Sequence, residues 1–177
     1  MPTYPTVAPT SFELTPVIVT FNSINLGGTL GNVVINSKYD KAELKTDQFG
    51  TTVMDRRVSG VVATVTTELV EVLNKDIAKV VFPHATLLSA GTAAIEFDTN
   101  VGDSDLSHAF ELNLHPQSQG SGSVAYDWYF FKAVASAEST VTYGPTEQAR
   151  WKIVWNILPD TSVSPARFWR YGDKTIV

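Results

Sequence analysis

The pattern of apolar and polar residues predicts a chain made mainly of β-strands. Short runs rich in β-branched and aromatic residues recur along the chain, separated by Gly, Pro, Asn and Ser. The predicted strands cover residues 17–21, 32–44, 57–66, 93–97, 108–114, 125–135 and 149–158. Residues 125–135 are aromatic on both faces, which predicts a central strand covered on both sides.

A change of period interrupts the strands and predicts one helix over residues 67–81. Apolar residues recur there at helical spacing, and Pro83 follows as a stop signal. The residues on this predicted face are Leu69, Leu73, Ile77 and Val80. Strands and helix together predict a mainly β fold, an antiparallel β-sandwich or barrel flanked by one α-helix.

The N-terminal residues 1–16 predict an extended arm that precedes a single domain over residues 17–177. The arm carries four prolines and shows no hydrophobic period. A frayed terminus is the alternative interpretation. If the segment is an interaction arm, we expect it to become ordered on contact with a neighbouring molecule.

Composition and charge narrow the classes of function. The chain has no Cys, which excludes disulfides, thiolate catalysis and Cys-based zinc sites. Its net charge is −5, with 13 basic residues scattered among 18 acidic ones, and this argues against tight DNA binding. No signal peptide and no apolar run of membrane-spanning length is evident, so we expect synthesis in the cytoplasm and no membrane partner.

No catalytic, cofactor or metal motif stands out. The glycines of residues 27–31 lack the dinucleotide fingerprint, and the acidic residues 98–106 do not match an EF-hand, so both predict ordinary loops. His84, His108 and His115 lack metal-ligand spacing, and the latter two would stand on opposite faces of a strand. We therefore predict that the chain is not an enzyme and has no cofactor.

Two aromatic clusters admit alternative interpretations. The aromatic residues between 126 and 131 suit either a sugar-binding platform or the core, and their apolar strand favours the core. The segment 166–174 places Phe168, Trp169 and Arg170 after the last predicted strand. It suits either a protein interface, where aromatic and Arg side chains are enriched, or a tail folded back on its own domain.

In its order of motifs, the chain resembles the major tail tube protein of long-tailed bacteriophages. The resemblance covers roughly residues 17–174 and depends on the order and spacing of loose motifs. The matching stretches are NVVINSKYDKAELKTDQFGTTVMDRRVSGVVATVTTEL, HAFELNLHP, DWYFFKAVAS, EQARWKIVWNILPD and RFWRYGDKT. None of them carries a catalytic residue of the family.

The resemblance implies a structural virion protein. In the family, a β-sandwich with one helix forms hexameric rings, which stack into a hollow tail tube with a continuous β-lined wall. DNA passes through the lumen without specific binding, and the tube contacts the tape measure, the terminator and the baseplate or tip. The resemblance also implies that the protein is made in the host cytoplasm and is finally located in the phage tail. This sequence lacks an evident extra immunoglobulin-like domain, and the presence of a contractile sheath stays open.

The resemblance further implies that the loop within residues 45–57 contacts a neighbouring subunit or ring. Apolar side chains would anchor it, a glycine would let it turn, and charged side chains would set the register. These residues are Phe49, Gly50, Met54, Asp55, Arg56 and Arg57. The alternative is an intramolecular hairpin with a solvated, charged tip.

A mildly acidic lumen wall would repel phosphates and keep DNA from binding. The candidate acidic residues on or next to the strands expected at the lumen are Asp40, Glu43, Asp47 and Glu68. Which of them face inward depends on strand register.

Two alternatives to the tail tube remain open at this point. One is the tube or terminator ring of a related contractile injection device. The other, from a different class, is a carbohydrate-binding β-sandwich module. A tube subunit should oligomerise and expose joinable sheet edges, whereas a sugar module should stay monomeric and respond to glycans.

Overall fold

The computed structural model describes residues 15–70, 74–88, 94–97, 101–136 and 139–176. The greater part of the predicted N-terminal arm, residues 1–14, lies outside the described residues. So do Leu73 of the predicted helix and residues 98–100 of the predicted acidic loop. The predicted behaviour of the arm therefore stays a prediction.

The described residues form eleven strands and one α-helix. The strands are β1 (Val17–Phe21), β2 (Ile24–Asn25), β3 (Val34–Leu44), β4 (Asp55–Leu69), β5 (Ala85–Leu88), β6 (Ala94–Phe97), β7 (Phe110–Pro116), β8 (Trp128–Ala135), β9 (Thr140–Thr142), β10 (Arg150–Ile157) and β11 (Trp169–Tyr171). The helix α1 covers Lys75–Val81.

Nine of these strands form one antiparallel sheet in the order β2-β1-β7-β8-β10-β4-β3. Strand β11 pairs with the first half of β8, and β9 pairs with the start of β10. Strands β5 and β6 form a separate hairpin. The predicted mainly β, antiparallel fold with one helix is confirmed, and β8 lies at the centre of the sheet, as its aromatic residues indicate.

The large sheet folds over so that its two halves bury one face against each other. Phe21 of β1 contacts Trp155 of β10 with 4.7 Å between ring centroids. Tyr39 of β3 likewise approaches Trp169 of β11 at 6.3 Å. The predicted inward row of β10 is confirmed, because its alternate residues are all buried: Trp151, Ile153, Trp155 and Ile157. Contacts of this kind across two sheet faces are what define a β-sandwich core.

Trp155 also joins the core through a hydrogen bond. Its indole Nε1–H donates to the hydroxyl Oγ1 of Thr67 in β4 at 2.9 Å, and both residues are fully buried. A buried indole N–H needs such a partner, because an unpaired donor keeps its full desolvation cost. Thr67 is therefore a polar residue that the core requires.

Helix α1 and the β5–β6 hairpin close one end of the core. Ile77 and Val81 are buried, and they pack with the same cluster as the sheet residues. Phe82, directly after the helix, contacts Trp151 of β10 at 5.6 Å and Phe97 of β6 at 5.2 Å between ring centroids. The helix thus covers one end of the sandwich core. No helix among the described residues is long and apolar enough to span a membrane.

The predicted start of the helix is wrong. Residues 67–69 belong to β4, and the described helix begins at Lys75. Thr67 and Leu69 continue the inward alternation of β4 and pair with Ile153 and Trp151 of β10. The helical spacing of apolar residues is weak at the first predicted turn. Pairing with β10 and burial in the core decide the structure there, and tertiary contacts commonly override local propensity in this way.

We predict that Thr67→Val destabilises the protein by about 1–3 kcal/mol, because the indole N–H of Trp155 loses its acceptor. Equilibrium unfolding in urea measures the change. Thr66→Val, on the opposite face of the same strand, is the matched control and should change stability by no more than about 0.5 kcal/mol. Equal effects of the two substitutions would contradict the assigned role of Thr67.

Candidate assembly surface

The β3–β4 hairpin extends beyond the rest of the sheet. Strand β10 pairs with residues 63–69 of β4, whereas residues 55–62 pair with β3 alone. Strand β3 forms the end of the sheet, and no described strand pairs with its second edge. The hairpin is therefore an arm whose β3 edge is open along its length and whose β4 edge is open over residues 55–62, and open edges can pair with another chain.

The tip of the arm is built by a short 3₁₀ turn and a glycine. The turn covers Asp47–Phe49, and Gly50 follows with φ 60° and ψ −127°, a conformation that favours glycine. The amide of Met54 donates to the carbonyl of Leu44 at 2.9 Å and closes the loop. The predicted turning role of Gly50 agrees with this geometry.

A β-bulge bends the arm near its middle. Asp40 opposes Gly60 and Lys41 opposes Val58, so Ser59 is the extra residue on β4. A bulge increases local twist and re-aims the strands that follow it. The tip is thereby turned relative to the part of β4 that carries the core.

Large apolar side chains lie exposed along this arm. Their exposed fractions run from 39% for Leu44 to 57% for Val58. The set comprises Tyr39, Leu44, Phe49, Met54, Val58 and Val62. Several exposed apolar residues on one projecting element are typical of a surface that another molecule covers. Phe49 and Met54, predicted from the sequence as anchors, belong to this set.

The charged residues of the arm pair with one another in the single chain. Arg56 contacts Glu43 across the hairpin at 3.2 Å, and Arg57 contacts Asp55 at 3.6 Å. A hydrogen bond from Lys45 lowers the pKa of Glu43 below its usual value, and Arg56 adds to this effect. The single chain thus corresponds to the alternative of a charged intramolecular hairpin, and contacts with a neighbour stay a prediction.

The four acidic candidates for a lumen wall fall into two groups. Asp40 and Glu68 lie on the face of the sheet that points away from the core, since their strand neighbours Ala63, Val65 and Leu69 point inward. Glu43 and Asp47 lie beyond the bulge near the tip.

The outward face of β3, β4 and β10 carries both basic and acidic side chains. Asp40 is paired with Lys38 at 2.6 Å, and Glu68 is paired with Arg150 at 3.6 Å and lies opposite Lys152. The pair with Asp40 raises the pKa of Lys38. The face is therefore mixed in charge, with three basic and two acidic side chains among these residues.

The C-terminal segment folds back on its own domain. Trp169 opposes Phe130 in the β8–β11 pair, and both Phe168 and Trp169 pack against the core cluster. The guanidinium of Arg170 donates to the carbonyls of Lys174 and Ile176. Of the two interpretations drawn from the sequence, these contacts favour the folded tail over an interface of freely exposed aromatic side chains.

Asp160 holds the start of this segment. Its buried carboxylate accepts hydrogen bonds from the Ser162 hydroxyl at 2.6 Å and from Arg167 Nε at 2.9 Å. These bonds, first that from Ser162 and then that from Arg167, lower the pKa of Asp160 below its usual value. The guanidinium of Arg167 also lies over the ring of Phe131, 3.9 Å from its centroid.

The aromatic strand has covered rings on both faces. Phe130 is fully buried and Trp128 packs against the core cluster, whereas Tyr129, on the opposite face, is nearly buried outside that cluster. Tyr126 is exposed and lies near Tyr171, with 6.4 Å between ring centroids. The core interpretation of this run therefore holds for Trp128 and Phe130.

The three histidines lie in two separate clusters. His115 Nδ1 lies 2.6 Å from the buried carboxylate of Asp127, which also accepts a hydrogen bond from the Tyr129 hydroxyl at 2.9 Å. His108 precedes β7 and meets His84 and Asp103. The sequence reasoning missed both clusters, because their members come from distant segments that no spacing rule connects.

Comparison of the chain with protein-family models and with curated proteins gave no match.

We predict that Asp160→Asn lowers stability at neutral pH and reduces its dependence on acid pH. The lowered pKa of Asp160 means that its carboxylate stabilises the fold above the usual aspartate pKa of about 3.9. This stabilisation is lost as the pH falls through the lower pKa of the folded state. Urea unfolding at a series of pH values measures the difference between the variant and the natural chain.

Asp47→Asn, at the exposed tip of the arm, is the control for removing one carboxylate. It should leave the slope of stability against pH close to that of the natural chain. If Asp160→Asn gives the same slope as Asp47→Asn, the assigned network around Asp160 does not contribute to acid sensitivity.

Proposed function

We propose that this chain is a tail tube subunit of a long-tailed bacteriophage. In this role it assembles with copies of itself into hexameric rings, which stack into a hollow tube that delivers DNA. The proposal combines the ordered motifs of the sequence with a mainly β, antiparallel fold that carries one helix. It assigns a structural role in the virion and no catalysis.

The projecting β3–β4 arm is the observation that supports self-assembly most strongly. Its strands are 11 and 15 residues long, and part of β4 has no partner other than β3. An open edge of that length is a liability for a protein that stays monomeric, and such proteins commonly keep edge strands short or covered. A neighbouring copy that pairs with β3 would satisfy the edge and continue the sheet.

The occupant we assign to this surface is a second copy of the chain. The exposed apolar side chains of the arm would bury against that copy and supply the hydrophobic part of the contact. Arg56 and Arg57 would exchange their intrachain partners Glu43 and Asp55 for groups on the neighbour. Because exposed ion pairs stabilise a single chain little, this exchange costs little.

The charge of the outward face is compatible with a wall that DNA passes. Lys38 and Arg150 are paired with Asp40 and Glu68, and Lys152 lies opposite Glu68, so phosphates would meet basic side chains that have acidic neighbours. A basic groove would instead bind phosphates by releasing counterions. On the proposed function, this face and the acidic residues of the arm would keep the lumen from binding DNA.

We predict that the purified, concentrated chain forms rings or hollow tubes and that Val58→Asp prevents their formation. Val58 is one of the most exposed apolar residues of the arm, and a carboxylate there, even opposite Lys41, would bring charge into an apolar interface at a cost. Negative-stain electron microscopy and size-exclusion chromatography measure assembly. Urea unfolding should show a stability within about 0.5 kcal/mol of the natural chain.

Tyr143→Asp is the matched control, because Tyr143 is exposed near the opposite end of β4. This variant should still assemble. Normal tubes from Val58→Asp would contradict the assigned surface. A uniform field of monomers from the natural chain would favour the carbohydrate-binding alternative, and a glycan screen would follow.

We also predict that the double substitution Arg56→Ala and Arg57→Ala impairs assembly while the monomer stays folded. Both side chains are exposed and their ion pairs lie at the surface, so the fold does not depend on them. Circular dichroism checks the fold, and electron microscopy checks the tubes. If the double variant forms normal tubes, these arginines do not set the register between subunits.

A further inference from the structure

We propose that His84, Asp103 and His108 form a binding site for one Zn²⁺ ion. Their ligand atoms, one from each residue, all lie within 4.8 Å of one another. Imidazole nitrogen and carboxylate oxygen are both good ligands for zinc, and three such ligands plus a solvent molecule complete a tetrahedral site. The site is separate from the β3–β4 arm, and it does not depend on the proposed function.

Two segments bring the ligands together. His84 lies in the turn between α1 and β5, after Pro83. Asp103 and His108 lie before and at the end of a 3₁₀ turn, Asp105–His108, that leads into β7. The Ser107 hydroxyl donates to the carbonyl of Ser104 at 2.6 Å and stabilises this turn.

The carboxylate of Asp103 is held in a direction that suits a ligand. The backbone amide of Ser104 donates to its Oδ1 at 2.8 Å. The other oxygen, Oδ2, lies 2.7 Å from His108 Nε2 and 3.6 Å from His84 Nδ1. In a tetrahedral zinc site the ligand atoms lie about 3.3 Å apart when the metal bonds are about 2.0 Å long. The three ligand atoms lie within 4.8 Å of one another, so a bound ion would draw them closer together.

His84 Nδ1 gives an independent indication of a missing partner. This nitrogen is shielded from solvent, and it has no hydrogen-bond partner among the described residues. Buried polar atoms are rarely left in that condition. A cation between the two rings, which meet edge to face at 5.4 Å between centroids, would satisfy it.

Access and surroundings also suit a metal ion. The side chains of His84, Asp103 and His108 are about one-third exposed, so the cluster lies at the surface although His84 Nδ1 itself is shielded. Asp105 lines the same cavity as His84, whereas Lys79 lines the neighbouring cavity beside His108. A bound ion would connect the turn after α1 to the segment before β7, at the end of the core that Phe82 closes.

Isothermal titration of ZnCl₂ into the metal-free, tag-free full chain tests the site. We expect one Zn²⁺ per chain. His84→Ala and His108→Ala should each weaken the affinity by at least about tenfold, and Ca²⁺ and Mg²⁺ should not bind, since they prefer oxygen ligands. His115→Asn is the matched control, because it removes the remaining histidine and keeps a donor for Asp127; it should bind like the natural chain.

Asp103→Asn keeps the size of the side chain and tests the site if a histidine variant fails to fold. Circular dichroism of each metal-free variant establishes folding, and Asp103→Asn should again lose affinity. Absence of saturable Zn²⁺ binding would overturn the proposal. The same holds if the three ligand variants bind like the natural chain, or if His115→Asn loses as much affinity as they do.

Discussion

The structure depends on the burial of Trp155 between the two halves of one folded sheet. Its ring meets Phe21 from β1, and its indole N–H is satisfied by Thr67 from β4, the strand beside it. Because the ring fills the space between the halves and its one polar atom has a fixed acceptor, both the packing distance and the register of β4 against β10 are constrained together. The remaining core residues pack around this arrangement.

Strands in which apolar and polar residues alternate could be predicted from the sequence. Elements whose structure is set by contacts with other segments could not. The inward row of β10 was evident, because burial on one face imposes a period of two. The start of the helix was not evident, since Thr67 and Leu69 fit the spacing of a helix and of a strand alike. Strands β2, β5, β9 and β11 also escaped prediction; each has only two to four residues, and its pairing partner defines it.

The candidate sites show the same division. Phe49, Gly50 and Met54 could be located at a hairpin tip, because a polar stretch with one glycine between two strands is a local signal. The approach of His84 to Asp103 and His108 could not be predicted, since it depends on how α1 packs on the sheet. Phe168 and Trp169 carried an ambiguous signal, because aromatic and Arg side chains serve interfaces and folded tails equally. The contact of Trp169 with Phe130 favours the latter.

Strand β4 divides into a part that is paired with β10 as well as β3 or lies in the core, and a part that is paired with β3 alone. Residues 63–69 are held by β10 on one side and by the buried rings above them, whereas residues 55–62 have only β3. Residues 63–69 fix where the arm leaves the sheet, and the bulge at Ser59 fixes the direction in which the arm bends. On the proposed function, an arm positioned in this way would lose little conformational freedom when a neighbour binds it, so more of the gain from burying Val58 and Val62 would contribute to assembly. Preorganisation of the arm thus follows from the same strand that holds the core.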